Sequence, residues 1–211
     1  MKIKKIGHCC LVIETNGKRI MTDPGSFSTD QNKEIGIDLI LYTHEHQDHY
    51  HLKTLKEILK NNPEVAIVTN AAVGKLLDAA GIKYSKVEDG ESFKFQGVSV
   101  KGFGNLHAEI YGTYGRVQNT GYVIDNLCFP GDAFENPNMK VDILALPITG
   151  PWMRVKDAID YAKMLKPRIV FPVHDAHIKD WAEFIYKVPE NILKESGIVF
   201  KKLELGKEEE F

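Results

Sequence analysis

Thr43-His44-Glu45-His46-Gln47-Asp48-His49 is the stretch that decides how this chain is read. Three imidazoles and the Asp48 carboxylate fall between His44 and His49, and each would be costly to bury without a partner. Neutral imidazole nitrogens and carboxylate oxygens are the donors that hold Zn²⁺ and its first-row neighbours, so a metal ion is the simplest explanation of the cluster. The bland alternative is a solvated, His-rich loop without a ligand. A metal site built from these residues is short of donors, so it requires further His or Asp residues elsewhere in the chain.

The flanks place the cluster on a loop. Before it, residues 38–42 form a short apolar run of the length expected for a buried strand. After it, Leu52, Leu55, Ile58 and Leu59 recur at helical spacing until Asn61-Asn62-Pro63 ends the pattern. Loops between a strand and a helix commonly carry chemistry. Upstream, residues 2–22 alternate apolar and polar types around the tight-turn dipeptide Asn16-Gly17, which predicts antiparallel strands stopping at Asp23-Pro24-Gly25. Downstream the pattern predicts a strand over 65–69, a helix over 71–80 and a strand over 82–87. Short Gly-punctuated strands follow over 92–103 and 116–129. A strand over 141–146, a helix over 155–165, a strand over 168–173 and a helix over 178–186 come next, the last with Ile178, Trp181, Ala182 and Ile185 on one side. Residues 207–210 read as a solvated, dispensable tail. Such alternation suggests layers of sheet and helix.

Composition excludes several function classes. With 211 residues and 43% hydrophobic content, the chain is expected to form one domain over 1–211. A net charge of -2 with interspersed signs gives no footprint for nucleic acid or an anionic membrane. Cys9, Cys10 and Cys128 are odd in number and read as reduced thiols of a cytoplasmic protein. The apolar run near the N-terminus is interrupted by Gly7 and His8, which supports neither a signal peptide nor a membrane span.

Three further donors follow expected strands: His107 after the strand ending at Phe103, Asp132 in Phe129-Pro130-Gly131-Asp132, and His174 after Phe171-Pro172-Val173. Strand ends converge on one edge of a sheet. Taken in order, Asp23 in Thr-Asp-Pro, the His44 to His49 motif, His107, Gly131-Asp132 and His174 resemble the metallo-β-lactamase superfamily over nearly the whole chain. Gly7-His8 before Cys-Cys-Leu-Val-Ile-Glu, Asn119-Thr-Gly-Tyr-Val-Ile, and Leu146-Pro-Ile-Thr-Gly-Pro-Trp-Met resemble the branch of L-ascorbate-6-phosphate lactonase-like metal-dependent hydrolases.

That resemblance implies an α/β fold, a four-layer αβ/βα sandwich with a binuclear metal site along one edge. It assigns one divalent ion to His44, His46 and His107, the other to Asp48, His49 and His174, and makes Asp132 the bridge. Zn is the default metal, with Mn or Fe as alternatives. Two such ions can share a water whose pKa falls near neutrality, giving a bridging hydroxide that attacks a small ester, lactone or phosphoester. Asp48 and Asp132 are the expected catalytic carboxylates, and Asp23 is expected to hold the free N–H of a ligating imidazole. Asp132 stands where many β-lactamases have a cysteine, and His46 where flavodiiron oxygen reductases have a carboxylate. Lactam hydrolysis and di-iron redox chemistry are therefore disfavoured.

The substrate is expected to be a small molecule, with residues around the site recognising it. His8, Tyr114, Arg116, Trp152 and Arg154 are the candidates, Tyr111 lying beside them; Arg116 and Arg154 suit an anionic group and Trp152 an aromatic wall. Each also has a plain reading as a turn or packing residue. His177 competes with His174 as a donor, but the position directly after the strand favours His174. The rival functions are a mononuclear iron oxygenase of the same fold, a metal-binding sensor without catalysis, or a closed structural metal site. Homo-oligomerisation is left open.

Overall fold

A computed structural model describes residues 1–211. The alternating stretch at the start forms three antiparallel strands, β1 (Lys2–Gly7), β2 (Cys10–Thr15) and β3 (Lys18–Thr22). Asn16 and Gly17, both at positive φ, make the turn between β2 and β3, as the right-handed twist of a hairpin requires. The chain then switches to parallel pairing. β4 (Leu39–Leu41), β5 (Ala66–Thr69) and β6 (Ser85–Lys86) join β3 in turn, linked by α1 (Leu52–Asn61) and α2 (Ala71–Ala79).

The second half repeats this plan. β7 (Ser92–Phe95), β8 (Val98–Phe103), β9 (Gly121–Ile124) and β10 (Leu127–Phe129) run antiparallel. β11 (Ile143–Pro147), β12 (Ile169–Val173) and β13 (Val199–Phe200) then add in parallel through α3 (Val155–Leu165) and α4 (Phe184–Glu195). Every residue of β11 and β12 is buried, as expected for parallel strands covered on both faces. With β14 (Glu208–Glu210) beside β1, each sheet has seven strands, ordered β14-β1-β2-β3-β4-β5-β6 and β13-β12-β11-β10-β9-β8-β7.

Three apolar clusters fix the layers. Ile3, Leu11, Leu39, Tyr122, Phe129 and Phe171 belong to the core between the sheets. Leu55 and Ile58 of α1 and Val73 and Leu77 of α2 pack on the outside of the first sheet, while Ala158, Ile159, Tyr161 and Leu193 cover the second. The result is the expected α/β sandwich of four layers. Strands β1, β3, β4, β8, β10 and β12 all end at the same edge. After them come His8, Asp23, the His44 to His49 loop, His107, Asp132 and His174 respectively.

Some local expectations need correction. Residues 207–210 are no free tail: Glu208 to Glu210 pair with β1, Lys201 holds Glu209 at 2.6 Å, and Phe211 packs against the central core beside Phe171. The charged side chains hid a backbone that closes the exposed edge of β1. The helix expected over 178–186 starts late, after a short 3-10 turn at Asp180–Ala182, and runs to Glu195. Trp181 is 82% exposed and drops out of the apolar face read there, whereas Ala182 is buried and Ile178 and Ile185 pack on the outer core of the second sheet. The strand over 82–87 shortens to Ser85–Lys86, and that over 116–129 begins only at Gly121.

Candidate metal centre

The strand-end residues meet in two adjoining groups. Donor atoms of His44, His46 and His107 lie within 4.8 Å of one another, as do those of His8, Asp48, His49 and His174. Asp132 sits between the groups, its carboxylate 3.4 Å from His107 Nε2, 3.2 Å from His49 Nε2 and 2.8 Å from His174 Nε2. All seven candidates of the sequence reading are thus brought together. His46 and Asp48 are partly exposed and the other five buried, so the arrangement opens to solvent on the side of those two.

Hydrogen bonds behind the histidines decide which nitrogen faces inward. Asp23 accepts from the Thr43 N–H at 2.8 Å, from the Thr43 hydroxyl at 2.7 Å and from His49 Nδ1 at 2.7 Å. Because the Thr43 proton is committed to Asp23, Thr43 Oγ1 accepts from His44 Nδ1, 2.9 Å away. His107 Nδ1 donates to the Ala108 carbonyl at 2.6 Å. In His44, His49 and His107 the Nε2 atom is therefore the one turned toward the shared space, where it can act as a ligand. Asp23 thus reaches two histidines, His49 directly and His44 through Thr43, a relay the sequence does not reveal.

The donor set also fits a cation by what it leaves unpaired. His44 Nε2 is buried without a hydrogen-bond partner, and His49 Nε2 and Asp132 Oδ1, also buried, have only each other, 3.2 Å apart and poorly aligned for a hydrogen bond. Burying several such atoms together is unfavourable unless something binds them. Without a cation, protons balance the charge. Burial pushes His49 and His174 down, but Asp132 outweighs it, lifting His49 well above its ordinary value and His174 to about 9. Burial likewise pushes the Asp132 and Asp48 carboxyls up, yet the surrounding imidazoles hold both well below the usual range. Two carboxylates facing two imidazoliums form the charge pattern that a divalent cation replaces.

His8 differs from its neighbours. Its Nδ1 accepts from the Ala176 N–H at 3.4 Å, which leaves Nε2–H to donate to Asp48 Oδ2 at 3.1 Å. Burial, opposed by that hydrogen bond, lowers its pKa to about 4, so it remains a neutral donor that orients Asp48. His8, Asp23 and His174 all have positive φ, a conformation non-glycine residues adopt at a cost and one that clusters at functional sites. Cys9 lies within 4.8 Å of His49 and Asp132, but burial and the nearby Asp132 and Asp23 carboxylates push its thiol up. Burial does the same to Cys10, and to Cys128, which rises to about 12. A thiol reagent is accordingly expected to leave all three cysteines of the folded protein unmodified and to titrate three after denaturation. Rapid modification of the native chain would contradict their burial.

The remaining candidates separate. Trp152 is buried, with its ring 5.8 Å from those of both His107 and His174, and it packs on Phe134 at 5.2 Å. Arg116 lines a cavity of about 290 Å³ with His107, Phe134 and Glu135. Tyr111 and Tyr114 are 84% and 74% exposed on the loop that passes His46, where Gly115 lies against the ring. Arg154 instead turns back to Asp157, 2.7 Å away, and caps α3. His51 contacts Thr54 at the start of α1, and His177 contacts Thr149, so neither joins the cluster. A separate cavity of about 560 Å³ lies at the opposite ends of β11 and β12, among Lys140, Lys163, Lys166 and Arg168, away from every one of these donors.

Comparison with known proteins gives a consistent picture. The family described as Beta-lactamase superfamily domain matches residues 2–174. A UPF0173 metal-dependent hydrolase of Flavobacterium johnsoniae is 34% identical over 178 residues, covering 75% of this chain and 77% of that protein. Protein Rv0786c of Mycobacterium tuberculosis is 31% identical over 192 residues, covering 88% and 89%. Among solved structures, the metallo hydrolase Igni18 of Ignicoccus hospitalis superposes with a TM-score of 0.78 at 21% identity, covering 100% of this chain and 98% of that one. CmlA, a diiron β-hydroxylase of Streptomyces venezuelae, superposes with a TM-score of 0.75 at 18% identity, covering 99% of this chain and 53% of that one. At those identities the two structures share the fold.

Proposed function

This chain belongs to the β-lactamase superfamily, and from that premise we propose that it is a binuclear metal-dependent hydrolase of a small ester, lactone or phosphoester. Its relatives include proteins described as metal-dependent hydrolases. The observation that carries the binuclear reading is the position of Asp132 between two donor groups, within 3.4 Å of an imidazole from each. In this reading His44, His46 and His107 hold one ion, Asp48, His49 and His174 the other, and Asp132 serves both. Zn²⁺ is the default, and the all-nitrogen-and-oxygen donor set also suits Mn²⁺ or Fe²⁺. When bound, the pair supplies acidified water and polarisation of the bond to be cleaved.

The chain's own groups then have distinct tasks. Asp23 keeps the Nε2 atom of His49 directed into the site by a direct hydrogen bond, and that of His44 through Thr43. His8 fixes Asp48 by one oxygen and thereby aims the other. Trp152 and Phe134 exclude water from beneath His107 and His174. Arg116 is the permanent cation in the His107 cavity, and it suits an anionic substituent on the substrate. The space of about 290 Å³ beside His107, lined by Glu109 and Glu135 as well as Arg116, suits a group of a small substrate, in keeping with the proposed placement near the L-ascorbate-6-phosphate lactonase-like branch. We read residues 1–211 as a single hydrolase domain.

Metal analysis of the purified protein, followed by assay on a panel of esters, lactones and phosphodiesters, tests the proposal. About two ions per chain and chelator-sensitive hydrolysis are expected. Full activity in metal-free protein would overturn it, and a single iron with oxygen uptake on a thiol substrate would establish the rival oxygenase. Metal binding should also depend on pH in a defined direction. An imidazole must be neutral to ligate, and His174 gives up its proton only as pH rises through about 9. Binding at neutral pH is therefore expected to release protons and to tighten as pH rises toward 9. Calorimetry in buffers of different ionisation enthalpy measures that release; its absence would contradict the protonated state of His49 and His174.

A further inference from the structure

β1 carries a charge where its pattern calls for an apolar side chain. Ile3 and Lys5 share the inward parity of the strand, and Ile3 belongs to the core between the sheets, yet Lys5 is only 2% exposed. A buried ammonium must be paired or it destabilises the fold. Lys5 Nζ donates to the Pro172 carbonyl at 2.8 Å and to the two Asp175 carboxylate oxygens at 2.7 and 2.6 Å. Asp175 also accepts from the Tyr186 hydroxyl at 3.1 Å. Pro172 lies in β12 and Asp175 directly follows His174, so this one side chain reaches from the first sheet to both sides of His174.

The neighbouring contacts act on the same loop. The His174 N–H donates to the His8 carbonyl at 3.3 Å, and the Ala176 N–H to His8 Nδ1 at 3.4 Å. His174 has a φ of +59°, a conformation that is costly for a non-glycine residue and persists only when the surroundings fix it. Its ring is also handled differently. His44, His49 and His107 each have Nδ1 held by a hydrogen bond, whereas His174 Nδ1 is buried without a partner. No bond at Nδ1 fixes the ring from behind, so apart from the Asp132 contact at Nε2 and the packing of His8 and Trp152 on the ring, its aim rests on the backbone of residues 172–176.

We propose that the Lys5–Asp175 ion pair is the positioning element of His174, clamping residues 172–176 across the sheets so that Nε2 faces Asp132 and Asp48. A well-packed apolar pair of similar volume would be expected to stabilise the fold at least as well, so stability alone does not account for buried charge here. The inference rests on the reading of His174 as a ligand of the second ion.

Two variants test it: Lys5→Met, and Lys5→Met with Asp175→Asn, which removes the unpaired carboxylate but keeps an acceptor for Tyr186. In the metal-free proteins the amides of His174 and Ala176 are expected to exchange with solvent about tenfold faster or more than in the parent. Zinc titration is expected to show about two ions in the parent and about one in the variants, the ion held by His44, His46 and His107 being retained. Parent-like exchange at His174 and Ala176, or two ions bound as in the parent, overturns the clamp. So does a double variant that fails to fold, because the pair would then be a stability element of the whole domain. A parent that binds no zinc removes the proposed function, while the exchange rates, measured without metal, still decide whether the clamp exists.

Discussion

Asp132→Ala is expected to leave a folded protein that has lost its hydrolytic activity, with turnover falling by about 10³-fold or more. The Asp132 side chain is the one carboxylate that touches both donor groups, and its removal leaves the His49, His107 and His174 imidazoles without their shared anion. The backbone at this position is tied independently: the Asp132 N–H donates to Asn119 Oδ1 at 3.0 Å, and its carbonyl accepts from Ala108 at 2.9 Å. Those bonds survive the substitution, so circular dichroism should remain that of the parent. Bound metal should fall from about two ions per chain to about one or none. Unaltered turnover with two ions bound would exclude the bridging role.

Asp23→Ala should act through stability as well as through the metal. Asp23 is fully buried and accepts three hydrogen bonds, so alanine leaves the Thr43 N–H, the Thr43 hydroxyl and the His49 Nδ1–H unsatisfied in the interior. Breaking a buried charged network of this kind costs about 3–5 kcal/mol. For a chain of this size that is a fall in Tm on the order of 10 °C. Alanine is also less tolerant than aspartate of the positive φ at this position. Metal affinity should weaken by about 10–100-fold, because the rings of His44 and His49 lose what fixes their Nε2 atoms. Thermal melting without metal and zinc titration separate the two effects. A stable Asp23→Ala protein with parent affinity would show that Thr43 and His49 find other acceptors.

Much of the fold was legible because its signals are local. The 38–42 run, the spacing of Leu52, Leu55 and Ile58, and the Asn16-Gly17 turn each declare their conformation within a few residues, and each is found as β4, α1 and the β2–β3 hairpin. Misreadings arose where local character and packing diverge. Glu208 to Glu210 look solvated, but their backbone completes a sheet edge; Trp181 looks like core, but sits in a turn before α4.

The candidate site shows the same division. Seven candidate donors could be named from the sequence because side chains able to bind metal are chemically distinctive and each follows a recognisable strand. Their gathering on one edge, the sharing of Asp23 between His49 and Thr43, and the turning of Arg154 toward Asp157 depend on which strands lie side by side. That is settled by burial of apolar faces across the whole sandwich and leaves no mark on neighbouring residues. Lys5 is the sharpest case: its inward parity in β1 is visible in the sequence, but its partner lies 170 positions away. Residue chemistry and periodicity are properties of the chain itself, so the sequence determined the elements and the kind of chemistry. Only the packing of two sheets against each other decided which donors meet, which nitrogen of each histidine faces inward, and what holds the last of them in place.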